Sequence, residues 1–435
     1  MNDLRFDVVN WIPSTYGEVE VRQSTGSLRI IAGQDLNIPI TEVEDTVAQT
    51  VRSHINVPLV SMATWLLVNW WRLRWEQKPD KVGSDWRKVH SLAGIGGDNP
   101  WPALEFANDG DSIRLTMKAE NRSDVAAIRY LRNVDLEVPA ETFEMAVDRF
   151  VDTVEARLGT LCPNYRVLAE LRTELAEERE SPHLANLCRW QALAGIDPGE
   201  ASDEWLAEVE ALVHEVGPMA GDELVSVLPD VQGGLPSVVQ CIDLMKASST
   251  TIDLSWINPE VSPGGREPPW QRGVHLAMEM RKRHGLGDGP LSDKVLSDLL
   301  SVKLPLPSTV PPLKGSPLSG GFRNGVTRGH TRIVWPSVYP YNQRFFLAKM
   351  LGAASFLPLD EHVIPLTGRK SVLQKVSRSF AQEFLCPWEA LDAFTDEYGN
   401  DDDALVRAAE YFQVSEHLVR TTLVNRGKMA RDLLP

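Results

Sequence analysis

What the sequence lacks narrows its class first. The 435 residues hold four cysteines, Cys162, Cys188, Cys241 and Cys386, and no two of them form a CxxC pair. That spacing removes zinc-knuckle and CxxC redox chemistry and leaves buried thiols as the expectation. No uninterrupted apolar run approaches the length of a membrane span, and the opening MNDLRFDVVN has neither a basic segment nor an apolar stretch behind it. The chain is therefore expected to be cytoplasmic, with no membrane partner. There is no Gly-x-Ser-x-Gly elbow, and Gly285-Leu-Gly-Asp-Gly289 has no strand before it and no Gly-Lys-Ser/Thr after it, so it reads as a helix stop rather than a nucleotide cradle. Asn121-Arg-Ser123 matches a glycosylation acceptor, which has no meaning in a cytoplasmic chain.

Positive charge is also in short supply. Lysine and arginine number 44 against 60 acids, a net charge of −16, which argues against a surface that coats nucleic acid or anionic membrane as a whole. The imbalance is local: residues 170–230 carry 15 acids and 3 arginines, whereas Lys303 to Lys349 carry seven Lys/Arg and no acid. Solvated helix faces and a basic loop are the expectation, and opposite fields that steer a partner are the alternative.

The patterns that are present predict an α+β multidomain chain. Residues 1–160 suit an α+β domain. Phe6-Val8, Val19-Val21 and Leu28-Ile30 alternate apolar and polar positions between turn-rich pieces, which predicts antiparallel strands. From Leu59 through Trp75 apolar residues recur at helical spacing and predict one long buried helix. Trp101 to Met117 reads as a hairpin turning at Asn108-Asp109-Gly110-Asp111. Pro139 and Glu141 open a helix with Phe143, Ala146, Val147, Phe150, Val151 and Val154 on one face. Residues 161–260 read as an acidic helical region, with Pro182, Pro198 and Pro218 marking helix starts or breaks and Ser202-Asp203-Glu204 a cap ahead of Trp205. Val261 to Pro269 is the expected linker. Trp65, Trp70, Trp71, Trp75, Trp86 and Trp101 fit a core better than a base-stacking platform, although Arg72, Arg74 and Arg87-Lys88-Val89-His90 set positive charge beside them.

Beyond the linker, an amphipathic helix from Trp270 and a second helix from Ser292 to Leu300 precede a small sheet expected within Gly315 to Pro336, with Thr331-Arg-Ile-Val-Trp335 as its clearest strand. Asn342-Gln-Arg-Phe-Phe-Leu-Ala-Lys-Met-Leu-Gly-Ala353 follows, then Gln374-Lys-Val-Ser-Arg-Ser-Phe-Ala-Gln-Glu-Phe-Leu-Cys-Pro387. In this order and spacing, residues 268–435 resemble a domain of the ImmA/IrrE metallopeptidase family, whose active-site helix runs Arg-Phe-x-x-Ala-His-Glu-Leu-Gly-His and whose second helix supplies a metal-binding glutamate. The resemblance implies a zincin-like, mainly helical domain with a small sheet and a helix-turn-helix-like end: a helix to Phe412, a turn at Gln413-Val414-Ser415 with Ser415 as cap, and a helix to Asn425.

A zincin needs two histidines one helical turn apart, a glutamate beside the first, and a third ligand. At the corresponding positions stand Lys349, Met350, Ala353 and Gln374. A lysine is ordinarily protonated, methionine takes up no proton, alanine has no donor atom and a neutral amide is a poor zinc ligand. These four positions are therefore read as degenerate, with no catalytic residue, no metal ligand and no cofactor. Lys349 is expected either to be solvated or to bind a carboxylate such as Glu383. The resemblance implies a non-catalytic bacterial regulatory or recognition protein with a protein partner, in a setting of stress response, mobile elements or phage defence. One alternative is a DNA-binding regulator, with Arg323, Arg328, Arg332, Arg344, Arg420, Asn425, Arg426 and Lys428 as candidate nucleic-acid or partner contacts. The other is a hydrolase whose metal site has moved to Asp360, Glu361 and His362 with His330.

Overall fold

The computed structural model describes residues 2–120, 127–259, 267–307, 318–323 and 330–431. Arg328, most of the expected linker and much of the basic loop lie outside the described residues. Helices account for 52 % and strands for 17 %, the latter in four small antiparallel sheets, which makes the protein α+β. The chain divides into two units, Met1–Leu206 and Ala207–Pro435. The acidic helical region thus forms no unit of its own, its earlier part belonging to the first and its later part to the second.

In the first unit, β1 (Asp3–Trp11), α1 (Val19–Gln23), β2 (Thr25–Gly33), β3 (Ile38–Pro39), β4 (Val43–Asp45), β5 (Thr50–Arg52) and β6 (Ile55–Pro58) lead into α2 (Leu59–Val68), α3 (Trp70–Trp75) and α4 (Ser84–His90). The hairpin β7 (Glu105–Asn108) and β8 (Ser112–Met117), then β9 (Ile128–Tyr130), β10 (Val134–Pro139), α5 (Ala140–Leu161), α6 (Val167–Glu180) and α7 (Pro182–Leu193) complete it. Strand β2 pairs with β1, β3 and β6; β4 lies between β5 and β9; β8 lies between β10 and β7. Along α5, Phe143, Val147, Phe150, Val154 and Leu158 recur at helical spacing and are buried, with Phe150 edge-on to Phe6 of β1 at 5.9 Å.

Two local expectations are corrected. Val19-Glu20-Val21 is helical, not a strand: Gly17 takes φ 86° and the Arg22 amide donates to the Glu18 carbonyl at 3.0 Å, so a turn overrides a three-residue alternation. The helix expected from Leu59 to Trp75 is two, because Asn69 leaves helical geometry and its Nδ2 donates to the Trp65 carbonyl at 2.8 Å. Pro198 starts no helix and lies in a turn. Pro182 and Pro218 do open helices, and Ser202 Oγ accepts from the Trp205 amide at 3.2 Å as the capping pattern predicted.

The second unit starts within α8 (Asp203–Val216) and continues through α9 (Pro218–Ser226), α10 (Gly234–Ala247), β11 (Thr251–Asp253), α11 (Pro269–Arg283) and α12 (Asp293–Leu300). There follow β12 (Ser319–Arg323), β13 (His330–Val334), α13 (Pro340–Phe356), β14 (Val363–Leu366), α14 (Val372–Leu385), α15 (Trp388–Tyr398), α16 (Asp402–Phe412) and α17 (Glu416–Asn425). Its sheet runs β11-β13-β12-β14, all antiparallel, so residues 207–259 contribute an edge strand to the unit that holds residues 268–431. Glu361 fixes α9 to the turn after α13: its carboxylate accepts from the Met219 and Ala220 amides at 2.8 and 2.9 Å, satisfying donors that a helix start leaves open.

The core of this unit is built on α14, gripped between α11 and α13. A Cβ on Gly273 of α11 would lie 2.1 Å from Ser379 Oγ and 2.3 Å from the Val376 carbonyl oxygen. On the other side, a Cβ on Gly352 of α13 would lie 2.7 Å from Phe380 Cβ. Glycine at Gly273 thus lets α11 reach the α14 backbone, and glycine at Gly352 leaves room for the Phe380 side chain against α13. Gly273→Ala is expected to cost about 1–3 kcal/mol in urea unfolding, since the carbonyl of Val376 cannot rotate away as a side chain would.

Candidate functional site

The α13–α14 pair brings the four positions read as degenerate into one interior, and their surroundings show what they do. Met350 is fully buried and points at the sheet, its Cε against Gly321, where a Cβ would come within 2.8 Å. Ala353 is fully buried beside the Gly352–Phe380 crossing. Gln374 is fully buried and its Nε2 donates to the Pro365 carbonyl of β14 at 2.9 Å. Lys349 is partly buried, near the Phe345 ring at 5.7 Å, and among the described residues no ion pair with an acid is seen for it. Glu383, the carboxylate expected to pair with Lys349, faces elsewhere: it accepts weakly from the Trp388 amide at 3.3 Å and lies 3.8 Å from Arg426.

Around Gln374 sits a polar group that the sequence reading missed. Glu223 of α9 is buried, and the Thr367 hydroxyl donates to it. Burial raises the Glu223 pKa above the ordinary carboxyl range, against the opposing pull of hydrogen bonds from Ser371 and Thr367 and the charge of Arg378. Arg378, one helical turn beyond Gln374, donates to the Thr367 and Arg369 carbonyls at 3.1 and 2.8 Å. Its charge in turn acts on Lys349, whose pKa is lowered to about 8, first by desolvation and then by Arg378. The signal for Glu223 was present in the chain: Ala220, Leu224 and Val227 put it on the apolar face of α9.

Residues so arranged do not fit a zinc ion. Lys349 offers an ammonium, Met350 and Ala353 are packed into the core, and Gln374 can offer only the Oε1 of a neutral amide, a poor zinc ligand, its Nε2 donating to a backbone carbonyl. The positions proposed for a displaced site do not converge either. Glu361 caps α9, and among the described residues no group of three or more His, Cys, Asp or Glu is placed to hold a metal.

The candidate nucleic-acid contacts are mostly occupied within the unit. Arg344 is buried, donating to the Gln413 carbonyl at 3.0 Å, to the Leu291 carbonyl at 2.6 Å and to Asp293. Arg323 donates to the Pro358 carbonyl at 2.8 Å, and burial lowers its pKa to about 10. Arg332 donates to the Lys246 carbonyl. The α16–turn–α17 segment forms as expected, with Gln413 left-handed at φ 54° and Ser415 Oγ accepting from the Leu418 amide at 3.2 Å. Two of its cations are paired, though: Arg420 with Asp402 and Glu416 at 2.7 and 2.5 Å, and Lys428 with Asp392 and Asp396 at 2.8 and 3.0 Å. Asn425 is exposed, and Arg426 lies 5.3 Å over the Trp388 ring.

In the first unit the tryptophans are core. Trp65, Trp70, Trp71, Trp86 and Trp101 are buried, and Trp75 packs against the same cluster. The cations beside them are matched by acids, Arg74 with Glu144 at 2.6 Å and Arg72 with Glu76 and Asp197 at 2.7 and 3.1 Å. His90, fully buried and stacked on Trp86 at 4.2 Å, meets Glu76 at 2.8 Å. Burial works against the Glu76 carboxylate, but His90 and Arg72 outweigh it and hold its pKa below the usual range.

No family model, no curated protein and no solved structure matches the chain.

A desolvated lysine with no acid partner destabilises its surroundings, so Lys349→Met is expected to raise stability by about 2 kcal/mol at pH 7. The sign follows from the lowered pKa. Between about pH 8 and the ordinary lysine value the unfolded chain binds more protons than the folded one, so the parent protein gains stability as pH rises there. The gap between parent and Lys349→Met should therefore close toward pH 10 in a series of urea unfolding curves.

Proposed function

We propose that this protein is a non-catalytic regulatory or recognition protein whose second unit is a degenerate relative of the ImmA/IrrE metallopeptidases. What carries the reading is the donor set: the four positions that such an enzyme devotes to zinc and to its base are, in this chain, a desolvated ammonium, two apolar core side chains and a neutral amide whose nitrogen donates to the Pro365 carbonyl. The order of elements supports the same kinship, with an opening helix pair, a small antiparallel sheet, two helices in contact and a helix–turn–helix end. A protein partner suits this reading better than DNA, because Arg420 and Lys428 already carry acid partners and Arg344 is buried. A bacterial stress, mobile-element or phage-defence setting belongs to the kinship and shares its standing as a proposal.

Metal analysis of the purified full-length protein, combined with incubation against a mixture of unstructured peptides, tests the catalytic half of the claim. Less than one zinc in ten chains and no new peptide termini are expected. One zinc per chain, or cleavage that disappears in Lys349→Ala, would mean that these helices hold an active site after all.

A further inference from the structure

Away from the degenerate positions, about two and a half turns further along α14, the second unit holds a cavity of 850 Å³. It lies among α11, the turn joining α14 to α15, and the end of α17, and its size suits a small molecule or a short peptide segment. Val274, Met278 and Trp388 give it apolar walls, and Met278 is half exposed. One wall carries Glu383, whose side chain is about nine-tenths buried. This carboxylate is poorly served. The Trp388 amide is shared between its two oxygens at 3.3 and 3.4 Å, and Arg426 stands off at 3.8 Å. An ionised carboxyl has about four acceptor sites, so among the described residues most of its capacity is unmet.

The other charges in the cavity point the same way. Arg281 is buried beside it and its charge acts on Glu383, but its guanidinium hydrogen bonds go to the Gly287 and Gly289 carbonyls at 2.9 and 2.5 Å and to the Phe384 carbonyl, so it gives Glu383 no hydrogen bond and is not free to serve an incoming anion. Glu279, Asp288 and Glu389 line the opening as exposed acids, against Lys282 and Arg426. Arg426 occupies a loose version of the position a guest cation would take, over the Trp388 ring and facing Glu383.

We propose that this cavity docks a peptide segment that inserts a lysine or arginine side chain against the Glu383 carboxylate, with Trp388 covering its alkyl stem. The guest cation displaces the Arg426 guanidinium and supplies the close charge-assisted hydrogen bonds that Glu383 lacks. The inference rests on Glu383 and its neighbours alone and holds whether or not the metallopeptidase kinship does.

The test is calorimetric titration of the full chain with the capped tripeptide acetyl-Leu-Arg-Leu-amide, with its citrulline analogue and with acetyl-Leu-Glu-Leu-amide. The arginine peptide is expected to bind, with the citrulline form weaker by about tenfold or more and the glutamate form silent. Glu383→Gln should lose the same factor, whereas Arg426→Ala, which removes the resident competitor, should tighten binding severalfold. Should Glu383→Gln fail to fold by circular dichroism, Arg426→Ala and Trp388→Leu carry the test, the latter weakening the arginine peptide. Equal affinity for the arginine and citrulline peptides, no binding to either the parent or Arg426→Ala, or a glutamate peptide that binds and is lost in Arg426→Ala would each overturn the proposal.

Discussion

Helix α14 is the member on which the second unit depends. It is packed against both α11 and α13, and at each crossing a glycine makes room: Gly273 lets the α11 backbone meet the α14 backbone, and Gly352 admits the Phe380 side chain. So tight a grip leaves little interior for solvent. Phe380 and Phe384 stack along α14 at 5.2 Å, Met350 reaches across to the sheet at Gly321, and Ala353 fills its place with no polar atom. An enzyme built on such a pair of helices needs an open position for water and substrate. Here the same volume is packed.

Polar groups persist where packing alone does not suffice, and they are arranged to serve the fold. Glu223, Thr367, Gln374 and Arg378 tie α9, β14 and α14 together through buried hydrogen bonds, and Glu361 ties α9 to the end of α13. Lys349 stands apart, because burial and Arg378 both act against its charge and no acid offsets them. In the proposed kinship, its ammonium is the remnant of a position that once met a metal, retained at some cost to stability. Unspent hydrogen-bonding capacity also lies at the other end of α14, where Glu383 opens onto a cavity.

Much of this was legible in the chain. The face of α5, the hairpin at Asn108–Asp111, the caps at Ser202 and Ser415 and the helix starts at Pro182 and Pro218 are dictated by local spacing and turn chemistry, and they form where spacing puts them. The misses have local causes too. At Val19–Val21 the alternation is three residues long and a glycine turn wins; at Asn69 the backbone leaves helical geometry while its side-chain amide joins its own N–H on the Trp65 carbonyl. The division of the acidic region between two units was hidden, because acid-rich helices look alike in sequence whichever core their apolar face joins. The site divided similarly. Which residue types stand at Lys349, Met350, Ala353 and Gln374 could be read directly, whereas Glu223 and the cavity at Glu383 depend on elements more than a hundred residues apart.

The central claim is that a metallopeptidase-like helix pair has had its donors replaced and its interior filled, and restoring the donors tests it most directly. The combined substitution Lys349→His, Met350→Glu, Ala353→His and Gln374→Glu should convert a chain with no bound zinc into one that takes up a single zinc ion per chain, measured by metal analysis after dialysis and by a zinc-dependent rise in melting temperature. A variant that remains folded yet takes up no zinc would contradict the account, because α13 and α14 would then lack the geometry on which the kinship rests.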